Sequence, residues 1–149
     1  MTTQQKIRCY TVPMLPGRAT PEGTTSYRER FPQLRDAGHF RHPRQVPGPA
    51  ELWMSSIGAG TYLGEPDDAT DREYTAAIAT ALRSGINVLD TAINYRHQRS
   101  ERNVGAALRQ VIDSGETKRS EVVVCTKAGY LSLDADLPCA GRSFPPASG

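Results

Sequence analysis

Two stretches of this chain carry the same apolar stripe at helical spacing, and each is followed by a glycine and a short apolar run. The first stripe is Tyr74, Ala77, Ile78, Ala81 and Leu82; the second is Val104, Ala107, Leu108, Val111 and Ile112. Spacing of i, i+3, i+4, i+7 and i+8 puts such side chains on one face of a helix, which must be buried against something. Gly85 and Gly115 stand where a helix end calls for a left-handed residue. The runs that follow, residues 86–89 ending at Asp90 and residues 122–127, lack polar alternation, as strands covered on both faces do. Ahead of both, MSSIGAGTYLG reads as a short strand through Ile57 that runs out into a glycine-rich turn. The order is β-α-β-α-β, which a parallel α/β sheet accommodates.

Local signals place the helix starts. Thr70-Asp71-Arg72-Glu73 fits a capping box, in which Thr70 accepts the Glu73 amide proton and Glu73 reaches back. Ser100 is placed to cap the second helix, with Glu101 near its positive end.

The texture changes on both sides of residues 51–133. Residues 1–50 are rich in proline, glycine and arginine (PGRATPEG, HPRQVPGPA) and read as an irregular extension, with one short helical turn in SYRERFPQL before Pro32. Residues 134–149, DADLPCAGRSFPPASG, have no helical stripe and read as an irregular tail.

Composition narrows the class of function. A net charge of +2 gives no electrostatic reason to expect a nucleic-acid partner. No apolar run approaches the roughly 20 residues of a membrane-spanning helix, and MTTQQKIRCY has no apolar leader core, so a cytoplasmic protein is expected. Cys9, Cys125 and Cys139 are too scattered for a disulfide framework or a CxxC metal site, and Cys125 reads as a small buried hydrophobe. His39 and His42 have a metal-like spacing without a third ligand nearby, and no metal is expected. His97, in the polar loop NYRHQRSE, reads as solvated.

Chemistry-bearing residues collect where the strands run out. Asp90 and Tyr95 follow the apolar run in INVLDTAINY, and Lys127 ends VVVCTK. In parallel α/β folds the C-terminal strand ends are where ligands and chemistry gather. A phenol has a pKa of about 10, and a neighbouring ammonium favours its ionised form. Each residue alone has a plain structural role available to it: Asp90 as a turn residue, Tyr95 as a half-buried ring, Lys127 as a solvated strand-end charge.

Taken together, GAGT (58–61), GINVLDTAINY (85–95), SE-x-x-VG-x-AL (100–108) and VVVCTKAGY (122–130) resemble the start of the aldo-keto reductases. Four motifs in order and at matching distances make the likeness specific, over about 80 residues from Trp53 to Leu133. The resemblance implies a TIM-type (β/α)8 barrel, present as about its first three strands and two helices behind the irregular N-terminal extension. It also implies NADPH as cofactor and a small-molecule carbonyl substrate, reduced from aldehyde or ketone to alcohol. By motif, Tyr95 is the proton donor, Lys127 tunes it, and Asp90 holds Lys127. Gly60 and Thr61, together with Asp90, match the cofactor-facing positions. The family's hairpin below the barrel implies a role for residues 52–57 as its second arm.

The chain departs from the family twice. The family's catalytic histidine follows the lysine strand, whereas His39, His42 and His97 all precede Lys127. A barrel takes roughly 250 residues, whereas 149 are present, with the main cofactor clamp expected in the missing strands. We therefore expect a chain cut short by a frameshift, premature stop or gene-boundary error, with little activity alone; the alternative is a non-catalytic α/β fragment or binding module.

Overall fold

The computed structural model describes residues 15–43 and 51–129. Cys9, Cys139 and the expected irregular tail at 134–149 lie outside the described residues.

The described chain forms four α-helices and five short strands: α1 (Pro21–Glu29), α2 (Pro32–Asp36), β1 (Phe40–Arg41), β2 (Met54–Ser55), β3 (Ala59–Gly60), α3 (Asp68–Arg83), β4 (Val88–Asp90), α4 (Arg99–Asp113) and β5 (Val123–Cys125). Strands β3, β4 and β5 pair in parallel in that order, each linked to the next by a helix. This is the expected β-α-β-α-β unit. Its first strand starts at Ala59, two residues beyond the expected end at Ile57, and Met54–Ser55 instead pairs antiparallel with Phe40–Arg41. Residues 52–57 thus hold one arm of an antiparallel pair whose other arm is Phe40–Arg41.

The core lies between the two helices and the sheet. Ile78, Ala79 and Leu82 of α3 meet Val104, Ala107, Leu108 and Val111 of α4 over Leu89 and Val122. Full burial of a leucine or valine side chain is worth about 1.5–3 kcal/mol, so this stripe-on-stripe contact is the main force holding the unit together. The α4 stripe is buried nearly as read, with Ile112 at its margin. On α3 the buried face is turned slightly, keeping Ile78 and Leu82 and taking in Ala79 while Ala77 is exposed. Alanine contributes so little to an amphipathic pattern that either position satisfied the spacing.

Both helices end as the glycines foretold. Gly85 has φ +91 and Gly115 φ +76, and the amides of Ile86 and Glu116 close back on Ala81 and Val111. The starts differ from expectation. Asp67, three residues before Thr70, caps α3 by accepting the Thr70 amide at 2.8 Å. Both aspartate and threonine make good caps; the earlier one places Asp68 and Asp71 in the positive first turn. Ser100 lies inside the first turn of α4, whose cap position, Gln98, is left-handed. An N-cap side chain works from extended backbone, which the residues before α4 do not adopt.

Residues 20–41 correct the expectation of an irregular extension. Thr20 accepts the Gly23 amide at 3.0 Å and Pro21 opens α1, a position where its missing N–H costs nothing. Pro32 likewise begins α2 rather than only ending what precedes it. Tyr27 is fully buried beside Phe31 and Phe40, and its hydroxyl donates to the Leu82 carbonyl at 2.6 Å. Burial pushes this phenol far above its ordinary pKa, so it stays a neutral donor. Gly23 lets α1 lie directly on the chain before β5, where a Cβ would overlap the Ser120 carbonyl.

Asn87 ties the hairpin to the sheet. Its side chain accepts from the Ser55 amide at 2.8 Å and donates to the carbonyls of Trp53 and Glu121 at 2.9 and 3.2 Å. His39 also spans this junction, bridging the Gly85 carbonyl and Ser56 hydroxyl, while His42 packs on the Trp53 ring. Cys125, expected to be buried, is exposed: β5 is an edge strand of the described sheet and lacks cover on one side. No helix among the described residues is long and apolar enough to cross a membrane.

Candidate active site

Parallel pairing makes the three strands run out on the same side. Gly60 lies opposite Asp90, and Asp90 opposite Cys125. The pairing continues past the strands: the Thr91 amide donates to the Cys125 carbonyl at 2.9 Å, and the Ile93 amide to the Lys127 carbonyl at 3.2 Å. That ladder fixes Lys127 beside the segment following β4. Its Nζ donates to both carboxylate oxygens of Asp90 and to the Thr91 carbonyl, each at 2.9 Å.

Tyr95 returns to the same point through a turn closed by its amide on the Ala92 carbonyl at 3.1 Å. The Lys127 ammonium lies 4.8 Å from the centre of the Tyr95 ring. Asp90, Tyr95 and Lys127, separated by up to 37 residues, are thus gathered into one cluster. The Asp90 carboxylate above all, with the Tyr95 oxygen adding to it, holds the Lys127 ammonium above the ordinary lysine pKa. The Asp90 and Lys127 side chains are 46% and 50% exposed, so water screens the pair. It serves to place the ammonium and contributes little to stability.

The two glycine-turn positions part company. Gly60 is exposed, and among the described residues a Cβ built there would meet nothing within 4 Å, so no described neighbour requires the glycine. Open space at a strand end beside Asp90 suits the close approach of a ligand to backbone. Thr61 is fully buried, its hydroxyl 3.1 Å from the Asp90 carbonyl and 2.9 Å from the Thr91 hydroxyl. Its side chain is turned into the protein, where it stiffens the floor of the site.

Sequence reading passed over two further parts of this end of the sheet. Tyr62, 67% exposed, meets the Tyr95 ring edge-on at 5.0 Å, and Leu63 beside it is 72% exposed. Large apolar side chains in a glycine-flanked turn were the available signal. The other part is the turn after Tyr95. Arg96, His97 and Gln98 all have positive φ, at 48, 54 and 74, a conformation that costs a non-glycine residue about 1–2 kcal/mol. His97 is exposed on this turn, and Arg96 is buried under it. Among the described residues, no group of three or more His, Cys, Asp or Glu is arranged to hold a metal ion.

A sequence model of the aldo/keto reductase family matches residues 56–142, which takes in all three parallel strands and both crossover helices. The chain belongs to the aldo/keto reductase family. It is 35% identical over 94 residues to the NADH-specific methylglyoxal reductase of Escherichia coli, covering 59% of this chain and 27% of that protein. It is 32% identical over 81 residues to aldo-keto reductase family 1 member D1 of Rattus norvegicus, covering 54% and 23%. The chain therefore spans about a quarter of the length of these relatives. The described parallel sheet has three strands and is not closed, whereas the family implies an α/β barrel.

Proposed function

We propose that residues 51–129 supply the proton-donating part of a carbonyl reductase of the aldo/keto reductase type. The observation that carries this is the convergence of Asp90, Tyr95 and Lys127 at one set of strand ends. Reduction of a carbonyl needs hydride at carbon and a proton at oxygen. A bound nicotinamide cofactor supplies the hydride. The chain's own residues handle the proton: the Tyr95 hydroxyl gives it to the carbonyl oxygen as the C–O bond becomes an alcohol. Lys127, kept protonated and in place by Asp90, stabilises the phenolate left behind. Gly60 offers open backbone on the cofactor side, and Tyr62 and Leu63 line the approach to Tyr95.

NADPH is the cofactor implied by resemblance, whereas the Escherichia coli relative is named for NADH. The proton role of Tyr95 would be the same with either, since both would supply the hydride from the same nicotinamide ring. Small aldehydes and ketones are the substrate class. We further propose that turnover needs barrel strands beyond the three described here, since these surround the site on one side only.

The test is a chimera in which residues 56–129 replace the matching stretch of the Escherichia coli relative, assayed for carbonyl-dependent oxidation of NADH and NADPH. The reading predicts turnover that Tyr95→Phe lowers by about 10²- to 10⁴-fold. A folded chimera whose turnover ignores Tyr95→Phe would overturn it. The 149-residue chain assayed alone should show no turnover, and robust activity there would refute the need for further strands.

A further inference from the structure

We infer that Arg96 is a positioning residue whose buried guanidinium, anchored on Asp71, holds the Tyr95 turn against Lys127. The inference deepens the reading of Tyr95 as proton donor and rests on it for its functional meaning.

The turn after Tyr95 is held against its own local preference. Arg96, His97 and Gln98 occupy the left-handed region in succession, and none of them is glycine. Something outside the turn must fix it there. The Arg96 side chain is 1% exposed and reaches across to the loop between β3 and α3. Its Nε and Nη2 donate to the Glu65 carbonyl at 2.9 and 2.7 Å, and Nη2 also meets the Asp71 carboxylate at 2.7 Å. The guanidinium carbon lies 5.0 Å from the centre of the Tyr74 ring, whose hydroxyl in turn donates to the Leu63 carbonyl at 2.6 Å.

Asp71 is the hub of this contact. It accepts from Arg96, from Arg99 at 2.6 Å and from Asn103 at 2.9 Å, so three residues of the Tyr95 turn and of α4 are tied to the first turn of α3. A planar guanidinium with several fixed donors suits such a clamp, and a lysine could not reproduce it. The effect is to bind the loop bearing Tyr62 and Leu63 to the turn bearing Tyr95. The 5.0 Å contact between the Tyr62 and Tyr95 rings and the 4.8 Å approach of Lys127 to Tyr95 both depend on it. Arg96 touches none of the reacting groups and acts through Tyr95.

The experiment is proton NMR on the full 149-residue chain, reading the cross-relaxation between the Tyr95 ring and the Lys127 side chain, with contacts among Leu89, Leu108 and Val111 as the control for fold. Arg96→Gly removes the clamp while relieving the left-handed strain. The clamp predicts loss of the Tyr95–Lys127 and Tyr95–Tyr62 contacts in Arg96→Gly with the core contacts retained. Retention of the Tyr95 contacts would overturn it, since a relaxed turn would then suffice. If Arg96→Gly also loses the core, Asp71→Asn decides: it keeps the side-chain shape, and weakening of the Tyr95 contacts with an intact core supports the clamp, whereas unchanged contacts or loss confined to the core count against it. These contacts can be lost or kept whatever the chimera shows of Tyr95→Phe, so failure of the clamp and failure of the reductase reading are distinguishable.

Discussion

Lys127 Nζ sits 2.9 Å from both carboxylate oxygens of Asp90, where two neighbouring parallel strands run out, although 37 residues separate the two. The pairing of β4 with β5 sets this distance, since Asp90 and Lys127 lie at adjoining points of one ladder. Because Asp90 raises the Lys127 pKa, Asp90→Asn should make Lys127 a better nucleophile at mildly alkaline pH. Acylation of Lys127 followed by peptide mass spectrometry checks this. Equal acylation rates in the two proteins would mean the carboxylate does not hold the ammonium.

Asn87 joins the hairpin to the sheet through bonds to Ser55, Trp53 and Glu121. Asn87→Leu takes the side-chain partner from those three backbone groups, whose bonds to Ser55 and Glu121 are buried. Each such loss costs about 1–3 kcal/mol, so the denaturant midpoint should fall clearly. Urea unfolding followed by circular dichroism measures it.

Gly23→Ala should destabilise the docking of α1 by about 1–3 kcal/mol, because the added methyl meets the Ser120 carbonyl, which is backbone and cannot rotate aside. Hydrogen exchange of the Tyr27 and Arg28 amides would report it. Unaltered protection would show that α1 does not rest on the chain before β5.

Burial pushes the Asp71 carboxyl up, but hydrogen bonds from Asn103, Arg96 and Arg99 outweigh it and leave the pKa below the ordinary aspartate value. A lowered folded pKa means the stability it brings is fully present above the ordinary value and is lost as pH falls through the folded one. Asp71→Asn should therefore cost about 1–3 kcal/mol at neutral pH, a penalty that shrinks below about pH 4. Urea midpoints of both proteins across that range test the sign.

Much of this arrangement was legible in the sequence because it rests on local chemistry. The two stripes, Gly85 and Gly115, and the apolar runs gave the β-α-β-α-β order, and parallel order alone puts Asp90 and Lys127 at one end. What escaped depends on partners distant in sequence. Pro21 and Pro32 read as breakers but open helices, since the docking of α1 rests on distant partners: the Leu82 carbonyl for the Tyr27 hydroxyl and the Ser120 backbone beneath Gly23. Cys125 read as buried from its apolar neighbours, though its strand lies at an edge of the described sheet. The left-handed turn at 96–98 carries no glycine or asparagine to announce it, because Arg96 and Asp71, 25 residues apart, hold it.

The central claim is that Tyr95 and Lys127 act as one proton-donating unit, and a double-mutant comparison in the chimera tests it most directly. Groups that act as a unit show strongly non-additive losses. Tyr95→Phe, Lys127→Met and the double variant should each lose turnover, with the double losing little more than Tyr95→Phe alone. Independent, multiplying losses, or a Tyr95→Phe variant with full turnover, would contradict the account.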